Sequence, residues 1–217
     1  MIKGLYSWIH SKLSRPEERG EYSSGIWQDS VRQQALQWCA RAQRRVLEVG
    51  CGEGLFLAQL KKMNPGLELW GIDNSAGRIE QARGRITDEG IHLAVGDATR
   101  LSFGDGFFDT SACINVFFNM PSFDIVRKAL IEMKRVTKRG GGIIFDFRNA
   151  ANPVIAMKYR LAPFYDRTVR DLPLNTYYMR DIERMLEELG LEIKQKRDIG
   201  AMALFGASVI IIEARKI

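Results

Sequence analysis

The sequence has 217 residues, 46% hydrophobic and 27% charged, the balance of an ordinary globular chain able to bury the core of one domain without disulfide staples. No apolar run reaches the roughly 18–20 residues that span a bilayer, and the N-terminus shows neither the long apolar stretch nor the small-residue cleavage site of a signal peptide. The net charge of +6 fits an anionic partner as well as it fits a merely solvated basic surface.

Taken in order, residues 1–13 set Ile2, Leu5, Tyr6, Ile9 and Leu13 at roughly helical spacing. A polar break with Pro16 follows, and 30–44 reads as a second helix. From Arg45 onward strands and helices alternate. Val46–Val49 is a short apolar strand, Gly54–Met63 a helix, Leu67–Ile72 a strand, and Ser75–Ile86 a helix capped by Ser75 or Asn74. Strands at Ile91–Val95 and Phe108–Ile114, a helix at Phe123–Val136 and a strand at Gly142–Phe147 follow. Such alternation predicts a parallel sheet with helices on both faces. Residues 149–178 break the rhythm with Pro153, Pro163 and Pro173, and read as an insertion over the carboxyl ends of the strands. A helix over Arg180–Leu189 ends at Gly190. Leu191–Arg197 and Leu204–Glu213 lie too close together for a parallel crossover and predict a hairpin. The expected organisation is an N-terminal helical lid segment, 1–44, before a ligand-binding domain, 45–217.

Candidate site residues cluster at strand ends. Gly50, Gly52 and Gly54, with Cys51 among them, form a turn that brings backbone close to a ligand. Leu55 stands where a dinucleotide fingerprint needs its last glycine, and no Gly-Lys-Ser/Thr follows to make a P-loop. Glu48, two residues before the turn, is unfavourable beside a pyrophosphate and suits a cationic group such as an amino-acid ammonium. Asp73, about 20 residues beyond the glycines, has the position of a ribose-binding carboxylate, with Asn74 next to it. Asp97 and the backbone of Ala98 could meet an adenine edge. Three acidic residues closing three successive strands are more specific than the glycines alone. The scattered Cys39, Cys51 and Cys113 and two histidines point away from zinc and toward a reducing, cytoplasmic setting.

These pieces resemble the class I methyltransferases that use S-adenosylmethionine (SAM). The matching segments are Glu48–Gly54, Gly71–Ser75, Gly96–Phe103, Phe107–Asp109 and Lys138–Ile144, and the nearest likeness is the ubiquinone/menaquinone-type branch. The resemblance implies a Rossmann-like, doubly wound, seven-stranded sheet of order 3-2-1-4-5-7-6 with the last strand antiparallel. It implies that Glu48 and the loop glycines hold the methionine part of SAM, Asp73 the ribose and Asp97 the adenine, with Asn115 beside the sulfonium. No base is marked as clearly, and Asp146, Tyr22 and Asn115 are the candidates.

The apolar stretch 152–165 suits a hydrophobic or amphipathic small-molecule acceptor: a lipid, a quinone or a glycan precursor. Residues 1–13, with Trp8, could lie on an anionic membrane surface, although plain packing against the core is the favoured reading of both flanks. An RNA or protein methyltransferase is the main alternative, weakened by the lack of an aromatic-basic run, so no nucleic acid is expected. A non-catalytic nucleotide binder or an NAD-dependent dehydrogenase is the third reading, and Glu48 argues against it.

Overall fold

Two apolar faces on nearly every central strand dictate the architecture, because each face must be covered. The computed structural model describes residues 26–165, 173–200 and 206–217; residues 1–13 and Tyr22 lie outside them. The elements are α1 (Ile26–Cys39), β1 (Arg45–Val49), α2 (Leu55–Met63), β2 (Glu68–Asp73), α3 (Ala76–Arg85), β3 (Ile91–Val95), β4 (Phe108–Cys113), α4 (Phe123–Val136), β5 (Thr137–Arg148), α5 (Pro153–Tyr165), α6 (Met179–Glu188), β6 (Leu191–Ile199) and β7 (Val209–Lys216). The sheet order is β3-β2-β1-β4-β5-β7-β6. Strands β1 to β5 pair in parallel, and β7 runs antiparallel to both β5 and β6. Both the expected order and the expected hairpin are observed.

Alternate residues of each strand feed two cores. Leu47, Ile143, Phe145, Ile210 and Ile212 pack with Val126, Leu130 and Met133 of α4 and Ile182 and Met185 of α6. Val46, Ile144 and Ile211 pack on the other face with Val31, Ala35 and Leu36 of α1 and Phe56, Leu57 and Leu60 of α2. Full burial of each such side chain contributes about 1.5–3 kcal/mol. The motif residue Asp109 acts at the opposite end of the sheet from the strands' carboxyl ends. Its carboxylate accepts from the backbone N–H groups of Arg44 (3.0 Å) and Arg45 (2.6 Å) and from Lys138 Nζ (2.6 Å), tying the starts of β1 and β5 together.

Several boundaries differ from the sequence reading. Helix α1 runs over Ile26–Cys39 where the sequence reads 30–44. The stretch after β5 contains a helix: the Asn152 side chain accepts from the Val154 and Ile155 N–H groups, and Pro153 occupies the first helical position, where a missing N–H costs nothing. Strand β5 begins at Thr137, five residues early, because the glycine run is part of it. A β-carbon at Gly141 would stand 2.6 Å from the Asp109 carbonyl oxygen, so only glycine admits the close approach of β4. Finally, β7 begins at Val209 and runs on to Lys216, since an Ile-rich strand buried on both faces shows no alternation to mark its ends.

Candidate active site

The carboxyl ends of β1, β2, β4 and β5 carry a compact set of buried polar groups. At β1, the Gly50 and Cys51 N–H groups both donate to the Ile72 carbonyl (2.8 and 2.9 Å), bending the chain over β2. The three glycines differ in what they face. A β-carbon at Gly50 would stand 2.5 Å from Val116 Cγ2, and one at Gly54 would stand 2.5 Å from Ile86 Cδ1. One at Gly52, with φ +52°, would meet nothing within 4 Å. Gly50 and Gly54 thus serve close packing, and Gly52 presents open backbone.

Asp73, 5% exposed, spans this loop and its own helix. Its Oδ2 accepts from Gly52 N (2.9 Å) and its Oδ1 from Ser75 N (2.9 Å), while Ser75 caps α3 by accepting from Arg78 N. Asn74 is exposed. Asp97 accepts from both the backbone N–H and the hydroxyl of Thr99 (2.8 Å each), which shapes the turn holding Ala98.

Glu48 is 4% exposed, and its Oε2 is buried with no hydrogen-bond partner. Burial pushes its carboxyl well above the usual carboxylate range, Arg32 on α1 pulls it back, and Asp73 pushes it further up. An orphaned carboxylate oxygen on the strand that leads into open glycine backbone fits a ligand that brings a cation, and this donor set fits the amino-acid end of SAM. The neighbouring Cys51 is buried, and burial together with Glu48 and Asp73 raises its thiol, so it offers no thiolate.

A second network joins β4, β5 and α5. Asn115 takes a left-handed conformation (φ +59°) that turns its backbone N–H onto Asp146 Oδ1 at 2.6 Å. Its side-chain amide donates to the Gln28 carbonyl of α1 (3.2 Å) and accepts from Arg148 Nη2 (3.0 Å). Arg148, 1% exposed, also donates from Nη1 to Asp146 Oδ2 (2.6 Å) and from Nε to Tyr159 Oη (2.8 Å), with its guanidinium 4.2 Å from the Phe118 ring. Asp146 is also 1% exposed; burial raises its carboxyl, opposed by Arg148 and the Asn115 N–H. Both its oxygens are committed, so in this arrangement Asp146 orients Asn115 and Arg148. Lys158 of α5 sits over the Trp27 ring at 4.9 Å. Burial pushes Tyr177 up to about 12, and its hydroxyl donates to the Phe117 carbonyl (3.2 Å).

Sequence reasoning brought Glu48, the glycines, Asp73, Asp146 and Asn115 to one end of the sheet, and the structure places them there. It missed Arg148 and Arg32. The signal for Arg148 was present: Asp146 and Arg148 are two residues apart on a strand, hence on one face.

Comparison with known proteins agrees with this geometry. Residues 47–145 match a family model described as a methyltransferase domain. Over those residues the chain is similar to the methyltransferase domains of that family, and its sheet order is that of the Rossmann-like class I SAM-dependent methyltransferases. It is 36% identical over 126 residues to a ubiquinone/menaquinone biosynthesis C-methyltransferase of Bordetella avium, covering 56% of this chain and 45% of that one. It is 29% identical over 170 residues to a fatty-acid O-methyltransferase of Mycolicibacterium smegmatis, covering 78% and 56%. These matches span about half the length of each relative. The magnesium protoporphyrin IX methyltransferase of Synechocystis, solved with bound SAH, shares the fold at a TM-score of 0.67 and 16% identity, covering 88% of this chain and 83% of that one.

Proposed function

We propose that the chain transfers the methyl group of SAM to a small apolar or amphipathic acceptor of the quinone or lipid kind. The observation that carries the donor assignment is the buried, unpartnered Glu48 Oε2 on the strand that leads into the open backbone of Gly52. In this reading Glu48 with Gly50, Cys51, Gly52 and Gly54 receives the methionine end, Asp73 and Asn74 the ribose, and Asp97 and Ala98 the adenine. Asn115 flanks the sulfonium.

Bound SAM supplies an electrophilic methyl group, displaced in line by the acceptor. The protein's part is orientation and exclusion of water. The Gly52 N–H and Asp73 bond locks the loop against β2. Asp146 and Arg148 fix Asn115 in its left-handed conformation, so the wall beside the transfer point is held by charge rather than by loop packing. Phe118, Trp27 and Tyr159 give the acceptor side an apolar, aromatic lining, and α5 acts as its lid. The similarity to enzymes named for a quinone C-methylation and for a fatty-acid O-methylation supports an apolar acceptor and leaves the accepting atom to the assay.

Titration of the full chain with SAM and with NAD, followed by incubation with methyl-labelled SAM, tests both halves. SAM is expected to bind, and label to enter a reduced demethylated quinone or a free fatty acid. Tight NAD binding without SAM binding overturns the donor assignment. Label entering bulk RNA or protein, and no lipid, overturns the acceptor class.

A further inference from the structure

We propose that the outer face of α5 is a docking surface for an anionic lipid bilayer. This contact is separate from methyl transfer and does not depend on the reading above.

Helix α5 is apolar almost all round, and such a helix is ordinarily covered on every side. Its inner side is covered by the protein. Ile155 is fully buried, Tyr159 Oη accepts from Arg148 Nε, and Lys158 closes one flank over the Trp27 ring. The outer side has no such cover. Pro153, Met157, Arg160 and Leu161 are all exposed, and they recur at the spacing of a single helical face. Met157 is 60% and Leu161 46% exposed. The other large apolar side chains exposed among the described residues are Met63, Val95, Ile131, Tyr178 and Ile217, and no two of them share an element. Single exposed apolar residues are ordinary on a protein surface, whereas two adjoining ones on one face call for an occupant.

Charge selects that occupant. Helix α5 carries Lys158 and Arg160 and no acid. Exposed apolar side chains bordered by cations suit a helix lying at the headgroup level of an anionic membrane. A second copy of the chain, docked face to face, would set these cations against one another with no carboxylate on the helix to pair them. No described helix is long and apolar enough to cross a membrane, so the contact is with the bilayer surface. The connection between β6 and β7 meets the start of α5, where Asn152 Nδ2 donates to the Gly206 carbonyl (3.1 Å). Between Gly200 and Gly206 its sequence holds only Ala, Met, Leu and Phe, where an exposed turn is ordinarily polar.

Flotation of the full chain with vesicles of phosphatidylcholine, and of equimolar phosphatidylcholine and phosphatidylglycerol, is the test; it needs neither SAM nor an acceptor. The wild type is expected to bind the mixed vesicles and to leave them in high salt. The double change Met157→Gln and Leu161→Gln is expected to lower binding at least tenfold, about the effect of keeping two half-exposed apolar side chains out of lipid. Arg160→Gln is expected to lower it about fivefold, the effect of one cation at an anionic surface. All three positions are exposed, and thermal melts check the fold. A wild type that binds no vesicle, or binds phosphatidylcholine alone equally well, overturns the proposal. So does a double variant that binds as the wild type does, which would put the lipid contact elsewhere in the chain. A wild-type dimer that the double variant splits, seen by sedimentation, overturns it in favour of a second copy. Should the double variant not fold, Arg160→Glu decides: it is expected to weaken binding to the mixed vesicles more than Arg160→Gln does, and undiminished binding overturns the proposal.

Discussion

Replacing Glu48 by glutamine should stabilise the ligand-free protein and cripple the site. The Glu48 side chain is buried, one oxygen has no partner, and its carboxyl is held well above the ordinary range by burial first, with Arg32 opposing and Asp73 adding to the rise. A folded-state value raised above the unfolded value of about 4.3 means that the folded protein binds more protons between the two. Stability therefore falls as pH rises through that window, and at neutral pH the ionised group is a liability. Glutamine keeps the shape and removes the charge. Relief of an unsatisfied buried carboxylate is worth about 1–3 kcal/mol, and part is lost because Arg32 then has only Asp29. A net gain of about 1 kcal/mol raises the melting temperature by roughly 2–4 °C for a chain of this size. The gain should shrink as pH is lowered toward the ordinary glutamate range. SAM affinity measured by calorimetry should meanwhile fall at least tenfold. A Glu48→Gln protein that melts lower at neutral pH would refute the reasoning, since it would make Glu48 a structural partner of Arg32.

Gly52→Ala should keep the fold, because its β-carbon meets nothing within 4 Å; a cost of about 1 kcal/mol for the left-handed backbone and a tenfold or greater loss of SAM binding are expected by melts and calorimetry. Gly50→Ala should instead lose about 2–4 kcal/mol in urea unfolding, since its β-carbon strikes the stiff Val116 side chain at 2.5 Å. Arg148→Met should cost about 3–5 kcal/mol in the same assay by leaving Asp146 buried without its cation, and adding Asp146→Asn should recover most of it. Asp73→Ala should weaken SAM at least tenfold by calorimetry, because it removes the carboxylate that holds both Gly52 and Ser75.

The donor half of the candidate site was legible because it is written locally: Glu48 and three glycines within seven residues, then a carboxylate at each of the next two strand ends. The sheet order was legible through resemblance, and alternation alone gave only its parallel character. What escaped was tertiary. Arg32 sits in a helix whose sequence shows an ordinary amphipathic pattern, and only docking on the sheet buries its charge. Helix α5 was hidden by its prolines, though Asn152 before Pro153 is a helix start in plain view. The Asp146–Arg148 pair was hidden because a charged residue at a strand end is read as exposed unless its same-face neighbour is read with it.

The two polar networks of the site are built on opposite principles, and the contrast bears on the acceptor. On the donor side, Arg32 Nε and Glu48 Oε2 are buried without hydrogen-bond partners, a costly state that a ligand bringing polar groups would relieve. On the acceptor side, Asp146, Arg148, Asn115 and Tyr159 bond to one another and to the Gln28 carbonyl. A network that satisfies its own members has little left to offer a polar ligand, and a charged acceptor there would have to break buried bonds. What remains for contact is aromatic and aliphatic surface around Trp27 and α5. Recognition of the acceptor should therefore come mainly from apolar burial, at about 25 cal/mol per Å². Affinity should rise with the length of an attached hydrocarbon chain and should be little changed by added charge.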